Sequence, residues 1–125
     1  MLVLLADNNR LLLWVLSTVL SDAGHKVLAV DSGQKAIDEI SRQQPHVAIL
    51  DLHMPVISGA EVAAECRNRN IPFVFISAYD EAEIRTTASK LGASSYLRKP
   101  TTEAAMLSAL DRCARESTND GMRCP

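Results

Sequence analysis

Five short apolar runs punctuate the chain, at 2–6 (LVLLA), 26–30 (KVLAV), 47–50 (VAIL), 72–76 (PFVFI) and 95–97 (SYL). None alternates cleanly with polar residues. Uninterrupted apolar strands are the pattern of a sheet covered on both faces. The segments between them carry helical spacing. From Asn9 to Ala23, the side chains Leu12, Val15, Leu16, Val19, Leu20 and Ala23 fall on one predicted face, and Gly24 supplies a stop. A second helix is predicted over 33–43, after Ser32 and before Pro45. A third, over 59–69, carries Val62, Ala63 and Cys66. A fourth runs from an Asp80 cap to Leu91, where Gly92 ends it. A fifth starts near Thr101 or Thr102 and fades by Arg115.

Strand and helix thus alternate five times. This alternation predicts an α/β domain with a parallel sheet, right-handed crossovers and helices on both faces. The domain is expected over 1–116, with the polar 117–125 as a frayed tail or linker stub. At 125 residues the length fits one domain. The net charge of −2 gives no basic excess to neutralise phosphates, so no direct nucleic-acid binding is expected. No apolar stretch reaches membrane-spanning length and the first residues lack a signal-peptide pattern, so the expectation is a cytoplasmic protein without membrane contact. Cys66, Cys113 and Cys124 are odd in number and widely spaced, which favours neither a disulfide framework nor a zinc site.

The chemistry gathers where strands end. In open α/β sheets, ligands bind outside the carboxyl ends of the strands. The first strand ends at Asp7-Asn8-Asn9, the third at Asp51, the fourth at Ser77, and the fifth is followed by Lys99-Pro100. Burying an unpaired carboxylate costs several kcal/mol. An apolar strand that ends in Asp51 therefore needs partners, and this edge supplies them. Two carboxylates suit Mg²⁺, which keeps waters and completes its shell with phosphate oxygens. A lysine supplies positive charge for phosphoryl oxygens, a serine a hydrogen bond, and a carboxylate can itself be the nucleophile that forms an aspartyl phosphate. Singly, each residue reads as well as a strand-end cap or ion pair; on one edge, they read as a phosphoryl-transfer site in which the protein is the acceptor.

The pieces "LLADNN", "HVAILDLHMPVISG", "PFVFISAYD" and "SSYLRKP", in order and each at its strand, resemble the receiver domain of two-component response regulators, from Leu2 to about Ala114. The resemblance implies a flavodoxin-like sheet of five strands in the order 2-1-3-4-5. It implies Asp51 as phosphoacceptor and a Mg²⁺ or Mn²⁺ ion held by Asp7, Asp51 and the backbone carbonyl of His53. Lys99 and Ser77 would contact the phosphoryl group, Ser77 and Tyr96 would switch, and the Lys99-Pro100 bond would be cis. His53 and Tyr79 would modulate phosphoryl lifetime. Trp14 points away from the core face of its helix, and the resemblance makes it a docking residue for a histidine kinase or histidine phosphotransfer protein. The switched surface of helix four, strand five and helix five would meet an unknown downstream protein. Such a domain is an enzyme only in a limited sense, phosphorylating itself from a donor and losing the phosphate slowly.

One position departs from the family pattern. Receivers usually carry two acids after strand one, and here the second is Asn8, whose amide can be a weak metal ligand or support the ion's waters but brings no charge. Weaker metal binding is expected. The same residue keeps open a second reading, a degenerate receiver that signals by contact without phosphorylation. Two further readings fit less well. An aspartate-nucleophile phosphohydrolase wants a second Asp where His53 stands, and a flavin binder wants a hydroxyl-rich phosphate loop where Asp7 stands. Met54, Met106, His25 and His46 are expected to be packing and surface residues.

Overall fold

The computed structural model describes residues 1–123 of the chain, with side chains through Arg115. The elements are β1 (Leu2–Ala6), α1 (Arg10–Asp22), β2 (Lys26–Val30), α2 (Gly33–Gln43), β3 (Val47–Asp51), α3 (Gly59–Asn68), β4 (Phe73–Ser77), α4 (Glu81–Leu91), β5 (Ser95–Arg98) and α5 (Glu103–Arg123). All strand pairs are parallel and the sheet order is β2-β1-β3-β4-β5, as expected.

Successive strand residues point to opposite faces, and each face has its own core. Leu4, Ala6, Ala48, Leu50, Phe73 and Phe75 pack with Ile40 of α2, Val62 and Cys66 of α3, and Ala88 of α4. Val3, Leu5, Val47, Ile49, Val74 and Ile76 pack with Leu16 and Leu20 of α1 and with Met106, Leu110 and Cys113 of α5. The three central strands are buried throughout or nearly so, which is why their sequences are apolar without alternation. Met54 is buried too, and both buried methionines act as packing residues. Among the described cysteines, Cys66 and Cys113 are buried; burial, helped by the charge of Glu65, pushes the Cys66 thiol up to about 12. Cys124 and Pro125 lie outside the described residues.

The helix starts follow their capping residues. Asn9 Oδ1 accepts from Leu12 N–H, Ser32 Oγ from Lys35 N–H, Ser58 Oγ from Glu61 N–H and Asp80 Oδ1 from Ala82 N–H. Thr102 Oγ1 accepts from Ala105 N–H, which settles the start of α5. Gly24 and Gly92 stop their helices at φ values of +93° and +80°.

Two expectations are corrected, on the face of α1 and the end of α5. Val15 does not face the core: it is 42% exposed, while Leu13 packs against the second core instead. At about 100° per residue Val15 sits roughly 100° from Leu16, the centre of the buried stripe. Ala23, at the last turn, is exposed as well. The fifth helix does not fade at Arg115 but runs to Arg123, because no proline interrupts the backbone pattern there. His25 and His46 lie at the surface, as expected, and each also meets the start of the chain. His46 Nδ1 accepts the Leu2 N–H at 2.9 Å, and His25 Nδ1 lies 3.2 Å from the Met1 nitrogen. Both rings tie down the start of β1.

Among the described residues a β-branched side chain sits at positive φ. Val56, 97% exposed, has φ +68° in a three-residue turn where Ile57 N–H donates to the Pro55 carbonyl at 2.8 Å. A β-branched side chain at positive φ is a true outlier. Val56→Asn, which tolerates this region, is expected to stabilise the fold by about 1 kcal/mol. Urea unfolding of the two proteins measures the difference; an unchanged or lower midpoint refutes the strain.

Candidate functional site

The parallel sheet sends the carboxyl ends of β1, β3, β4 and β5 to one edge, and the loops there form a depression of about 440 Å³. Asn8, Asn9, Asp51, His53, Ser77, Ala78, Tyr79 and Lys99 line it. Asp7 lies beneath, completely buried, with Asp51 4% exposed and Ser77 fully buried. Register explains the convergence. Ala6 lies beside Leu50, and Asp51 beside Ile76, so each functional residue is the last of its strand or the first beyond it.

Lys99 links the two acids. Its Nζ is 2.8 Å from Asp7 Oδ2 and 3.4 Å from Asp51 Oδ2. The Lys99 N–H donates to the Ser77 carbonyl at 2.7 Å, and the Lys99-Pro100 bond is cis. The remaining carboxylate oxygens are held by backbone. Asn9 N–H donates to Asp7 Oδ1 at 2.9 Å and His53 N–H to Asp51 Oδ1 at 3.3 Å. Asp7 Oδ2 accepts no hydrogen bond; its contact with the ammonium is ionic, without hydrogen-bond geometry. Burial raises the Asp51 carboxyl above its ordinary value, and the charge of Asp7 adds to this, against Lys99 and the His53 N–H, which oppose it. A carboxylate under that pressure is a poor resting anion, and it gains from any further cation or from esterification.

The donor set fits a hard divalent ion. Two carboxylates converge, and one buried oxygen still has lone pairs to give. Among the described residues no group of three or more His, Cys, Asp or Glu side chains surrounds the spot, so a bound ion would rely on backbone oxygen and water as well.

At the rim, the His53 ring lies 3.9 Å from the Tyr79 ring, and His53 Nε2 lies 3.9 Å from Glu83 Oε1 on α4. Ser77 Oγ accepts the Tyr79 N–H at 3.1 Å, so the loop that bears the ring is tied to the serine. Tyr96 does not line the depression; it is half-buried against the core of α2, α3 and α4. Trp14 is 68% exposed, next to exposed Leu11 and Val15. A groove of about 460 Å³ between α1 and Ala78, Lys99 and Pro100 runs from Leu11 and Val15 back to the site. Two residues had no role assigned from sequence. Asn9 caps α1 while its N–H holds Asp7; an Asn directly before a helical run was the available signal. Glu83 had none, because its approach to His53 depends on how α4 is placed.

The model of the response regulator receiver domain matches residues 3–111. The ycf27 protein of Porphyridium aerugineum, named as a probable transcriptional regulator, is 30% identical over 96% of this chain, which covers 52% of that protein. The chain thus spans about half the length of this curated relative. Of solved structures, the signal receiver domain of NarL from Mycobacterium tuberculosis superposes with a TM-score of 0.80 at 33% identity, over 91% of this chain and 95% of that one. Chemotaxis protein CheY4 of Vibrio cholerae gives 0.82 at 26% identity, over 90% and 97%.

Proposed function

The chain belongs to the response regulator receiver domain family, whose members partner with histidine kinases and typically use Mg²⁺, and from that membership we propose that Asp51 accepts a phosphoryl group from a phosphohistidine. The observation that carries the proposal is the meeting of Asp7, Asp51 and Lys99 within ion-pair distance at the carboxyl edge of the sheet. In the proposed step an oxygen of the Asp51 carboxylate attacks phosphorus. The phosphorus–nitrogen bond breaks, its electron pair returns to the imidazole, which takes up a proton, and an acyl phosphate remains on the protein. Lys99 offsets negative charge on the phosphoryl oxygens, and Asn9 N–H and His53 N–H keep the two carboxylates oriented, so the protein contributes positioning and electrostatics. Asp7, Asp51 and the carbonyl of His53 would hold Mg²⁺ or Mn²⁺, with Asn8 as a neutral neighbour; when bound, the ion supplies further positive charge to the same oxygens.

The acyl phosphate would then draw the Ser77 hydroxyl away from the Tyr79 N–H, the loop between β4 and α4 would follow, and Tyr96 would turn inward. That is a charge event acting on a two-state element. The surface of α4, β5 and α5 is the proposed readout for a downstream protein. His53 and Tyr79, ring against ring at the mouth, would limit access of water to the phosphoryl group and so its lifetime. The proposed compartment is the cytoplasm. Among the described residues no helix is long and apolar enough to cross a membrane.

A mass spectrum after incubation with Mg²⁺ and a small acyl-phosphate donor tests the proposal. One added phosphoryl group is expected; none with any donor, phosphohistidine partner included, leaves the contact-only reading that Asn8 favours.

The groove beside α1, with Leu11 and Val15 on its wall, is the proposed seat of the phosphohistidine partner, and the exposed Trp14, outside that lining and one turn from Leu11, is proposed as a further apolar anchor. Trp14→Ala is expected to slow transfer from the kinase about tenfold, the cost of one interface anchor. Its thermal midpoint should hold to within about 0.5 kcal/mol of stability, because the ring mostly meets solvent. Full-speed transfer by the variant refutes the assignment.

A further inference from the structure

α1 is charged at its two ends and nowhere between. Arg10 opens it, Asp22 closes it, and the stretch from Leu11 to Ser21 carries no charged side chain. Both charges run against the helix dipole, which favours acids in the first turn and bases in the last. α3 and α4 follow that preference, with Glu61 and Arg67 on one and Glu81, Glu83 and Lys90 on the other. Arg10 pairs with Asp31 yet remains exposed, and Asp22, also exposed, forms no ion pair among the described residues. At 3.6 residues per turn, Arg10, Leu11, Trp14, Val15, Thr18 and Asp22 fall within an arc of about 140°, and all six are exposed. Between the two charges this arc is apolar: Leu11 and Trp14 are largely open to solvent, and the Thr18 hydroxyl donates to the Trp14 carbonyl at 2.9 Å, so it is satisfied within the helix.

We infer that this face of α1 is the interface of a symmetric dimer, in which the α1 helices of two copies of this chain lie antiparallel, with Arg10 of each copy against Asp22 of the other. Charge selects the occupant. Arg10 and Asp22 stand about 18 Å apart along the helix axis. A parallel pairing would set Arg10 against Arg10 and Asp22 against Asp22. The antiparallel pairing joins opposite charges at both ends, and it lays each charge beside the terminus of the neighbouring helix that attracts it. Trp14 of one copy then lies across from Thr18 of the other, and Leu11 across from Ser21, so the uncharged middle meets itself. A two-fold axis makes every such contact twice. Leu11, Trp14 and Val15 offer on the order of 300 Å² of apolar surface per copy. A standard stable interface takes about 800 Å² per partner, so the dimer is weak, with a dissociation constant on the order of 0.1 mM. Leu11 and Val15 also line the groove proposed to seat the phosphohistidine partner, so that partner and the second copy exclude each other. This consequence rests on the reading of that groove; the pairing does not.

Sedimentation velocity from about 10 μM to about 1 mM chain, in low salt where charge pairs are least screened, tests the pairing. The wild type is expected to pass from monomer to dimer across this range. Trp14→Ala should weaken association about tenfold or more, the loss of a central aromatic anchor. Asp22→Arg should weaken it about tenfold, because like charges then meet at both ends. Arg10→Glu combined with Asp22→Arg should restore association to within about threefold of the wild type, a rescue that only direct contact between the two positions gives. Arg85→Glu, on the exposed side of α4, should leave association unchanged. Should Arg10→Glu disturb the fold through loss of its pair with Asp31, Asp22→Arg alone carries the comparison, its defect shrinking as NaCl rises to about 0.5 M. Uptake from a small acyl-phosphate donor does not use this face, so it reports on the Asp51 reading separately. A wild type still monomeric at about 1 mM, below the weakest interface this surface should form, overturns the dimer. So does association indifferent to Trp14→Ala and Asp22→Arg, association broken by Arg85→Glu, or a folded double variant that associates no better than Asp22→Arg.

Discussion

Asp51→Asn is expected to lose phosphoryl uptake altogether, by a factor of about 10⁴ or more in rate, the scale on which deletion of a nucleophile acts. An amide oxygen keeps the shape and the hydrogen bond from His53 N–H but cannot form a stable acyl phosphate. The measurement is the mass of the protein after incubation with donor, wild type beside variant. Uptake by the variant at the wild-type stoichiometry would move the acceptor elsewhere.

The same substitution has a second consequence, of opposite sign for stability. Asp51 is raised above the ordinary carboxylate value of 3.8 by burial and by Asp7. A raised acid binds more protons in the folded chain than in the unfolded one. Stability therefore falls as pH rises from 3.8 through the raised value, and above that value the penalty is present in full. Asparagine carries no such penalty. In metal-free buffer near neutrality Asp51→Asn should melt higher than the wild type, and the gap should close on acidification toward 3.8. Added Mg²⁺ should raise the wild-type midpoint and leave the variant nearly unmoved, because a ligand stabilises only the protein that binds it. A variant that melts lower at neutral pH would mean that the attraction between Asp51 and Lys99 outweighs burial and the repulsion from Asp7.

The sheet was legible because its signal is redundant. Five apolar runs, the capping residues Ser32 and Asp80, and the stops Gly24 and Gly92 each point to the same alternation, and one ambiguous residue cannot upset it. The candidate site was legible for a related reason: in a parallel sheet the carboxyl ends share an edge, so the ends of β1, β3 and β4 identify Asp7, Asp51 and Ser77 without knowledge of side-chain positions. What stayed hidden depends on orientation between elements. Val15 and Leu13 are both apolar and both near the stripe of α1; which is buried depends on how that helix lies against β2 and α5, and the packing favours Leu13. Whether Lys99 leans to Asp7 or to Asp51 is a matter of tenths of an ångström set by the turn after β5. The positive φ of Val56 has no local sequence signal at all, since Gly or Asn is the residue expected there. Glu83 reaches His53 across two loops that spacing cannot relate.

Gly59→Ala is expected to be strongly damaging. A Cβ at this position would stand 2.3 Å from the Asp51 carbonyl oxygen, 2.8 Å from Leu52 Cα and 2.9 Å from the Asp51 carbonyl carbon. All three are backbone, so no rotamer relieves the clash. The start of α3 is also tied here, since Gly59 N–H donates to the Leu52 carbonyl at 3.0 Å. The methyl must push the helix away from the end of β3 or push the end of β3 itself. The first route opens the packing of Val62, Ala63 and Cys66 against the sheet; the second moves Asp51 relative to Lys99 and Asp7. Overpacking of this kind costs about 3 kcal/mol, a drop in thermal midpoint on the order of 10 °C for a domain of this size. Uptake should fall more than stability alone explains, because displacement of a reacting group by about 1 Å can cost 10²-fold in rate. Gly24→Ala is the informative comparison. Its added Cβ meets nothing within 4 Å, so it is charged only the left-handed φ of +93°, about 1 kcal/mol, far from the site. Thermal melts and initial rates of labelling on both variants separate the two costs. If Gly59→Ala melts within a degree or two of Gly24→Ala and is labelled as fast, the close approach between α3 and the acceptor strand does not hold Asp51 in place.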